Sequence, residues 1–166
     1  MKYFSLIVFS FIALSSFSQS VVIAHVQSDS IIPKMESYLY AMTELQAYSQ
    51  NLQKQFEGKE AEMEAYYMDV MDKGKRGILS PKEQKDAETK LQEMQTKLQQ
   101  SAQEMDAQLA EKEKTLMGPV QEEYNNAIKA VSKQNGYTFI IDKKLILYSD
   151  GGIDATEKLR AALKIK

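Results

Sequence analysis

The side chains that most often do chemistry in proteins are scarce in this sequence. There is one histidine, His25, and no cysteine, so a zinc site of the usual nitrogen and sulfur ligands has almost nothing to be built from. Three carboxylates, Glu60, Glu62 and Glu64, are interpreted as solvating charge on an exposed helix face. No glycine-rich phosphate loop, metal-ligand spacing or nucleophile motif occurs. The sequence therefore gives no reason to expect an enzyme or a cofactor.

His25 stands between Ala24 and Val26 in a short run rich in β-branched residues. Such a run predicts a strand, and we interpret the histidine as a structural side chain at the edge of a sheet. The sequence identifies no serine or carboxylate as its partner.

The clearest charge cluster is basic and surrounds a turn signal at residues 73–81. Its cations, which outnumber Asp72 and Glu83, are Lys73, Lys75, Arg76, Lys82 and Lys85. One interpretation is a solvated turn, and the other is attraction to anionic lipid head groups or acidic clients. The whole chain carries a net charge of −2, which lacks the strongly basic balance expected of a domain that binds nucleic acid.

Several apolar side chains fall outside the helical seam described below. Tyr40 and Met68 are predicted on the face opposite the seam, and Leu39, Tyr48 and Tyr67 flank it. Methionine and tyrosine are typical of surfaces that bind many partners. We select Tyr40, Tyr48, Tyr67 and Met68 as candidate contacts for a client polypeptide, with ordinary shielding of a thin coiled coil as the alternative.

One long hairpin positions these residues. Residues 33–116 are almost free of glycine and proline except around the turn, so they predict two antiparallel helices with a tip at residues 72–80. Ser80 and Glu83 have the spacing of a capping box, and proline suits a first helical position, so the second helix is expected to begin at Pro81. The helices would form an arm about 60 Å long.

Apolar residues repeat every seven positions along both helices, which is typical of a coiled-coil seam. The first helix contributes Met35, Tyr38, Met42, Leu45, Leu52, Phe56, Met63, Tyr66 and Val70, with Ser49 and Lys59 as polar interruptions. The second contributes Ala87, Leu91, Met94, Leu98, Ala102, Met105, Leu109 and Leu116, and the offset within this set indicates a slow drift of the seam.

Residues 19–32 and 117–166 are predicted to form a small body that carries the arm. A strand is expected at residues 21–26, with Pro33 in the first turn of the helix that follows. Gly118 and Pro119 are expected to break the second helix of the arm.

The C-terminal part of the body is predicted to contain two more strands. The helix before them is expected to close at Gly136 with a left-handed cap. Residues 137–142 and 145–148 predict the strands, and Asp154 with Glu157 predicts the cap of a last helix.

Such a body leaves sheet edges unpaired and buries little area. We therefore predict an obligate oligomer that joins strands between subunits. The candidate oligomer residues are Val22, Ile23, Phe139, Ile140, Ile146 and Leu147. The fold class is α+β, with a long antiparallel helical-hairpin (coiled-coil) arm on a small oligomerisation body of strands and helices.

Residues 1–18 are predicted to be a secretory signal peptide rather than part of the fold. Lys2 precedes an apolar stretch that is shorter than the ~20 residues needed to span a membrane. Ser16 and Ser18 are small residues suited to a cleavage site, so cleavage is expected after Ser18. Because no cysteine follows, neither a lipid-anchored start nor a disulfide is expected.

The order of these elements, with several short segments, resembles the Skp/OmpH family of periplasmic chaperones. Residues 124–137 resemble the family's helix and its Gly-Tyr entry to a strand, and residues 139–148 are similar to its strand pair. Residues 153–156 resemble the start of its last helix, with Ala155 in place of the usual isoleucine, and residues 23–32 its first strand and turn. The arm resembles that of the family only in its general character as a long helical hairpin.

The resemblance implies a Skp-like "jellyfish": a trimer whose bases share a small β-barrel-like core and whose arms enclose a cavity. It implies that unfolded outer-membrane proteins are held there without ATP, in the periplasm, and delivered to the outer-membrane assembly machinery. It also implies lipopolysaccharide contact at the arm, which in this mildly acidic chain would depend on Lys73, Lys75 and Arg76.

Two other function classes use the same periodicity. A coiled-coil envelope adaptor or spacer would prefer one dedicated folded partner, whereas a chaperone would hold many unfolded ones. An envelope lipid-binding protein would show an affinity that falls steeply with salt and depends on the basic tip.

Overall fold

The computed structural model of the chain describes residues 21–165. Its elements, in chain order, are β1 (Ile23–Val26), α1 (Ser28–Ile31), a 3₁₀ turn (Ile32–Lys34), α2 (Glu36–Lys75), α3 (Pro81–Asn135), β2 (Phe139–Asp142), a second 3₁₀ turn (Lys143–Leu145), β3 (Ile153–Asp154) and α4 (Thr156–Ala162). The fold is α+β, with two long helices and a small sheet, as predicted. The signal peptide and cleavage site predicted within residues 1–18 lie outside the described residues.

Helices α2 and α3 form the antiparallel arm, and the 40 residues of α2 span about 60 Å. At the turn, Gly77 has a φ of +68°, a left-handed conformation that glycine adopts without strain. The Ser80 hydroxyl accepts the backbone N–H of Glu83 at 3.3 Å, and the Glu83 carboxylate accepts the backbone N–H of Ser80 at 2.8 Å. The predicted capping box and the start of α3 at Pro81 are therefore confirmed.

We expect Ser80→Ala to fray the first turn of α3, because the Glu83 N–H loses its acceptor. Loss of an N-cap of this kind should make amide exchange at Glu83 about fivefold faster. The Ser80 hydroxyl and then its N–H hold the pKa of Glu83 below its ordinary value, so that pKa should rise in the variant. Hydrogen exchange and a carboxylate titration, both by NMR, test this.

Thr89→Ala is the control for this variant, because the Thr89 hydroxyl only donates to the Lys85 carbonyl of its own helix. Equal changes at Glu83 in the two variants would contradict the capping role.

The seam is confirmed along most of the arm but is rotated near its base. Ala41 is buried there, whereas Met42, predicted in the seam, is exposed, and Tyr48, predicted to flank it, is half-buried. An α-helix drifts about 20° per heptad relative to a strict seven-residue repeat, which carries the contact from one set of positions to the next. Lys59, a predicted interruption, donates to the Ser101 hydroxyl across the helices at 2.7 Å.

Helix α3 runs without interruption from Pro81 to Asn135, so the predicted break at Gly118 and Pro119 was wrong. Proline inside a helix costs about 3 kcal/mol, but the next turns carry Val120, Tyr124 and Val131, all of them buried. Burial of these side chains in the body outweighs one missing hydrogen bond. Gly136 ends the helix at a φ of +68°, as predicted.

The prediction that Pro33 lies in the first turn of the first long helix was also wrong, because α2 begins at Glu36 and Pro33 lies in a 3₁₀ turn. Met35 between them is extended, with φ −66° and ψ 136°. This break lets Ile31 and Met35 both bury their side chains in the same core. The core they join also contains Ala24, Val26, Val131, Tyr137 and Leu159.

The sheet has the order β2-β1-β3, and β1 pairs in parallel with both neighbours. His25 therefore lies on the central strand, not at an edge as predicted. The predicted strand at residues 145–148 was wrong for the single chain, because Leu145 ends a 3₁₀ turn and the second edge strand is Ile153–Asp154. Within residues 21–165 of one subunit, no strand lies beside the β-forming residues 145–148.

Candidate functional site

Exposed large apolar side chains on the arm are confined to α2 and the tip. They form a group near the base and a group near the tip, namely Leu39, Tyr40 and Met42, then Tyr67, Met68, Met71 and Ile78. Helix α3, every residue of which is described, exposes none. The two α2 groups lie about 42 Å apart along the helix, with polar side chains between them on the exposed surface. One side of the arm is therefore apolar in two patches, and the other side is polar.

Three of the four side chains selected as client contacts lie on this apolar side: Tyr40, Tyr67 and Met68 are all exposed. Tyr48 lies between the helices, where its hydroxyl donates to Gln108 Oε1 at 3.0 Å. The ammonium of Lys112 lies 5.5 Å from the centre of the Tyr48 ring. Met71, which directly follows Val70 of the seam and was not among the predicted contacts, is also exposed.

The cations of the tip are not equivalent. Lys73 donates to Asp69 at 2.6 Å, and Arg76 donates to Asp72 at 3.3 Å. The hydrogen bond to Asp69, with its charge, raises the pKa of Lys73. Lys75 has no such partner among the described residues, which leaves its ammonium available to a ligand.

A second apolar surface lies on the outer face of the sheet. Ala24 and Val26 of β1 point into the core, whereas Ile23, Phe139 and Ile141 are exposed on the opposite face. The segment after β2 also exposes Leu145, Leu147 and Tyr148, and Leu147 is fully exposed.

The six candidate oligomer residues divide into two groups. Ile23 and Phe139 are exposed on the outer face of the sheet, and Leu147 is exposed in the segment after β2. Val22 and Ile140 are half-buried against the core of the same subunit, and Ile146 is half-buried in the irregular segment after β2.

His25 has a carboxylate neighbour that the sequence did not reveal. Its Nε2 lies 3.7 Å from Asp154 Oδ2, beyond hydrogen-bond distance. Asp154 also accepts the backbone N–H of Thr156 at 2.9 Å. The Thr156 side chain and then its N–H lower the pKa of Asp154. Because β1 and β3 are far apart in sequence, only their pairing brings the two side chains together.

Within residues 21–165, no cluster of three or more His, Asp or Glu side chains is arranged to hold a metal ion. In the same part of the chain, none of the helices has an apolar run long enough to cross a bilayer.

Comparison with known proteins agrees with this architecture. A family model described as outer membrane protein (OmpH-like) matches residues 22–163. The crystal structure of an OmpH-like protein from Caulobacter crescentus, proposed to be an outer membrane chaperone, matches with a TM-score of 0.74. The match covers 86% of this chain and 83% of that one at 15% sequence identity, and so shows a shared fold. None of the curated proteins compared matches. Because the family model spans most of the chain, the chain belongs to the OmpH-like family.

Proposed function

We propose that this chain is an ATP-independent periplasmic holdase chaperone that binds unfolded outer-membrane proteins between its helical arms and prevents their aggregation. The observation that carries this proposal is the restriction of exposed apolar side chains to one side of the arm. A coiled-coil spacer needs only its seam, whereas a holdase needs a surface that unfolded chains can contact. Membership of the OmpH-like family supports the same function.

The proposed mechanism relies on many weak contacts. Each exposed tyrosine or methionine contributes little alone, but several on each arm give multivalent capture at a high effective concentration. The client remains mobile because no single contact is strong. Release can then follow from the client's own folding in the outer membrane.

The proposal includes a homo-oligomer, a trimer by analogy with the family, built from residues 19–32 and 117–166 with residues 33–116 as the arm. Its open sheet face, which includes Ile23 and Phe139, would be covered by a neighbouring subunit. Export by the signal peptide, with cleavage after Ser18, would bring the chain to the periplasm.

Contact with lipopolysaccharide or another anionic membrane surface would be weak. Lys73 and Arg76 are each paired with an aspartate of α2, so among the three proposed contacts Lys75 would carry most of the attraction.

Light scattering tests the holdase activity directly. A urea-unfolded outer-membrane barrel protein is diluted, without ATP, into buffer that contains the mature chain. Suppressed scattering that saturates near one client per oligomer would support the proposal. Scattering that is unchanged at several-fold excess would contradict it and would favour an adaptor with a folded partner.

We expect the double variant Tyr67→Glu, Met68→Glu to bind an unfolded barrel client about tenfold more weakly, because two apolar contacts are replaced by charges that must stay hydrated. Sedimentation should show the same oligomer, since both residues are far from the body. The matched control is Gln99→Glu, Gln100→Glu, which adds the same charge to the polar exposed side of α3. Equal affinities in the two double variants would mean that Tyr67 and Met68 shield the seam and do not contact the client.

A further inference from the structure

A cavity of about 540 Å³ opens between α2 and α3 just below the tip of the arm. Its apolar lining consists of Tyr67, Val70, Met71, Leu79 and Leu91. This volume lies within the range of ~300–1,000 Å³ typical of ligand pockets. We call this cavity the tip groove.

Gly74 helps to keep the tip groove open. It lines the cavity, and a Cβ placed on it would meet no atom within 4 Å. Its backbone is helical rather than left-handed, so no turn requires glycine at this position. The absence of a side chain there leaves space where a larger residue would fill the groove.

A cation, an anion and a neutral amide also line the tip groove: Lys75, Glu88 and Gln84. Lys75 has no ion-pair partner among the described residues. Lys73 and Arg76 nearby are each paired with an aspartate, and over residues 69–88 five cations stand against five anions. The unpaired Lys75 ammonium, rather than the total charge, therefore offers a partner to a ligand carboxylate beside the apolar lining.

We propose that the tip groove docks a segment of unfolded polypeptide in which a large apolar side chain is followed by acidic residues. The apolar side chain occupies the space beside Gly74, and a carboxylate of the segment pairs with Lys75. This inference rests on the proposed holding of unfolded proteins and names the part of a client that the tip selects.

The polar lining favours a peptide over a lipid. The Gln84 amide can both donate to and accept from a peptide backbone, whereas acyl chains offer it nothing. The Glu88 carboxylate can pair with a backbone N–H or a cationic side chain of the same peptide segment.

The chain offers a closely matched pair of variants. Gly58 is also inside α2, and a Cβ there would likewise meet nothing within 4 Å, but Gly58 does not line the tip groove. Gly74→Leu fills the groove, and Gly58→Leu adds the same side chain elsewhere on the same helix. Both replace a helical glycine by a better helix former, so both variants should remain folded.

The test uses the full mature chain and a short fluorescein-labelled peptide with one phenylalanine followed by aspartates, with fluorescence anisotropy as the readout. Wild type and Gly58→Leu should bind with equal affinity, and Gly74→Leu about tenfold more weakly because its leucine occupies the site. Lys75→Glu should weaken the binding of the acidic peptide. It should strengthen the binding of a counterpart peptide in which lysines replace the aspartates. Equal binding by both leucine variants overturns the proposal.

A vesicle-binding experiment tests whether the ligand of the groove is a lipid instead. Vesicles containing anionic phospholipid are offered to the same variants, with binding measured by co-sedimentation. Binding of vesicles that depends on Gly74, with no binding of the peptide, overturns the proposal in favour of a lipid site.

Light scattering with an unfolded barrel client distinguishes failure of the groove from failure of the holdase. If wild type suppresses aggregation but does not bind the acidic peptide, the holdase activity is supported and the proposal for the tip groove is overturned. If wild type binds the peptide, Gly74→Leu does not, and aggregation is not suppressed, the proposal for the tip groove is supported and the holdase activity is contradicted.

Discussion

Replacing Leu147 with aspartate is expected to convert the proposed oligomer to folded monomers. The Leu147 side chain is fully exposed in the single subunit, so the substitution removes no contact within that subunit. In the proposed oligomer the same side chain is buried against a neighbour, and burial of a leucine is worth about 2–3 kcal/mol. A desolvated aspartate at that place costs several kcal/mol more. The dissociation constant of the assembly should therefore rise at least ~1,000-fold.

Sedimentation velocity, with circular dichroism of the same samples, measures both parts of this expectation. Leu39→Asp is the control, because Leu39 is an exposed leucine of the arm, outside the sheet surface. Ile140→Asp is predicted to unfold the body as well as dissociate it, because Ile140 packs against the core of its own subunit. A Leu147→Asp variant that still sediments as wild type would refute assembly through this surface.

Leu159→Ala is expected to lower the free energy of unfolding by about 2–5 kcal/mol. Leu159 on α4 is 0% exposed and belongs to the core that joins α4 to β1 and α3. Its truncation leaves a cavity at the centre of the body. Since a domain of this size is stable by only about 5–15 kcal/mol, the loss should be visible as a large shift of the urea midpoint.

Leu39→Ala makes the same chemical change on the exposed side of α2, and a surface substitution should change the free energy by less than about 0.5 kcal/mol. Both variants are compared at one protein concentration, because assembly shifts apparent stability by mass action. Similar midpoints for Leu159→Ala and wild type would show that the seam of the arm, not the body, provides the cooperative core.

Features encoded by a few neighbouring residues were predictable from the sequence. The capping box of Ser80 and Glu83 and the left-handed cap at Gly136 depend on local backbone geometry, and both are present. The break at Pro119 was expected from equally local evidence and was wrong, because burial of Val120 and Tyr124 in a distant core decides that the helix continues.

Features that depend on partners far along the chain were not predictable. Residues 145–148 have the composition of a strand, but a strand forms only where another lies beside it, and the described part of one subunit supplies none at that place. The contact of His25 with Asp154 requires the pairing of β1 with β3. The tip groove depends on how residues on both sides of the turn, such as Gly74 and Leu91, meet in space. The seven-residue repeat also does not report the rotation of the seam near the base that Met42 and Tyr48 reveal.

The unbroken course of α3 gives the arm a mechanical property. The helix reaches from the tip to the body as one rod, and about 57 Å of it lie between Pro81 and Pro119. Proline donates no backbone hydrogen bond, so the rod is most compliant where it enters the body. A rotation of about 5° at that point displaces the tip by about 5 Å, as with any lever of this length. In the proposed oligomer, small movements of the body would thus become large changes in the opening between tips, and a load on the tip would be transmitted as torque to the sheet.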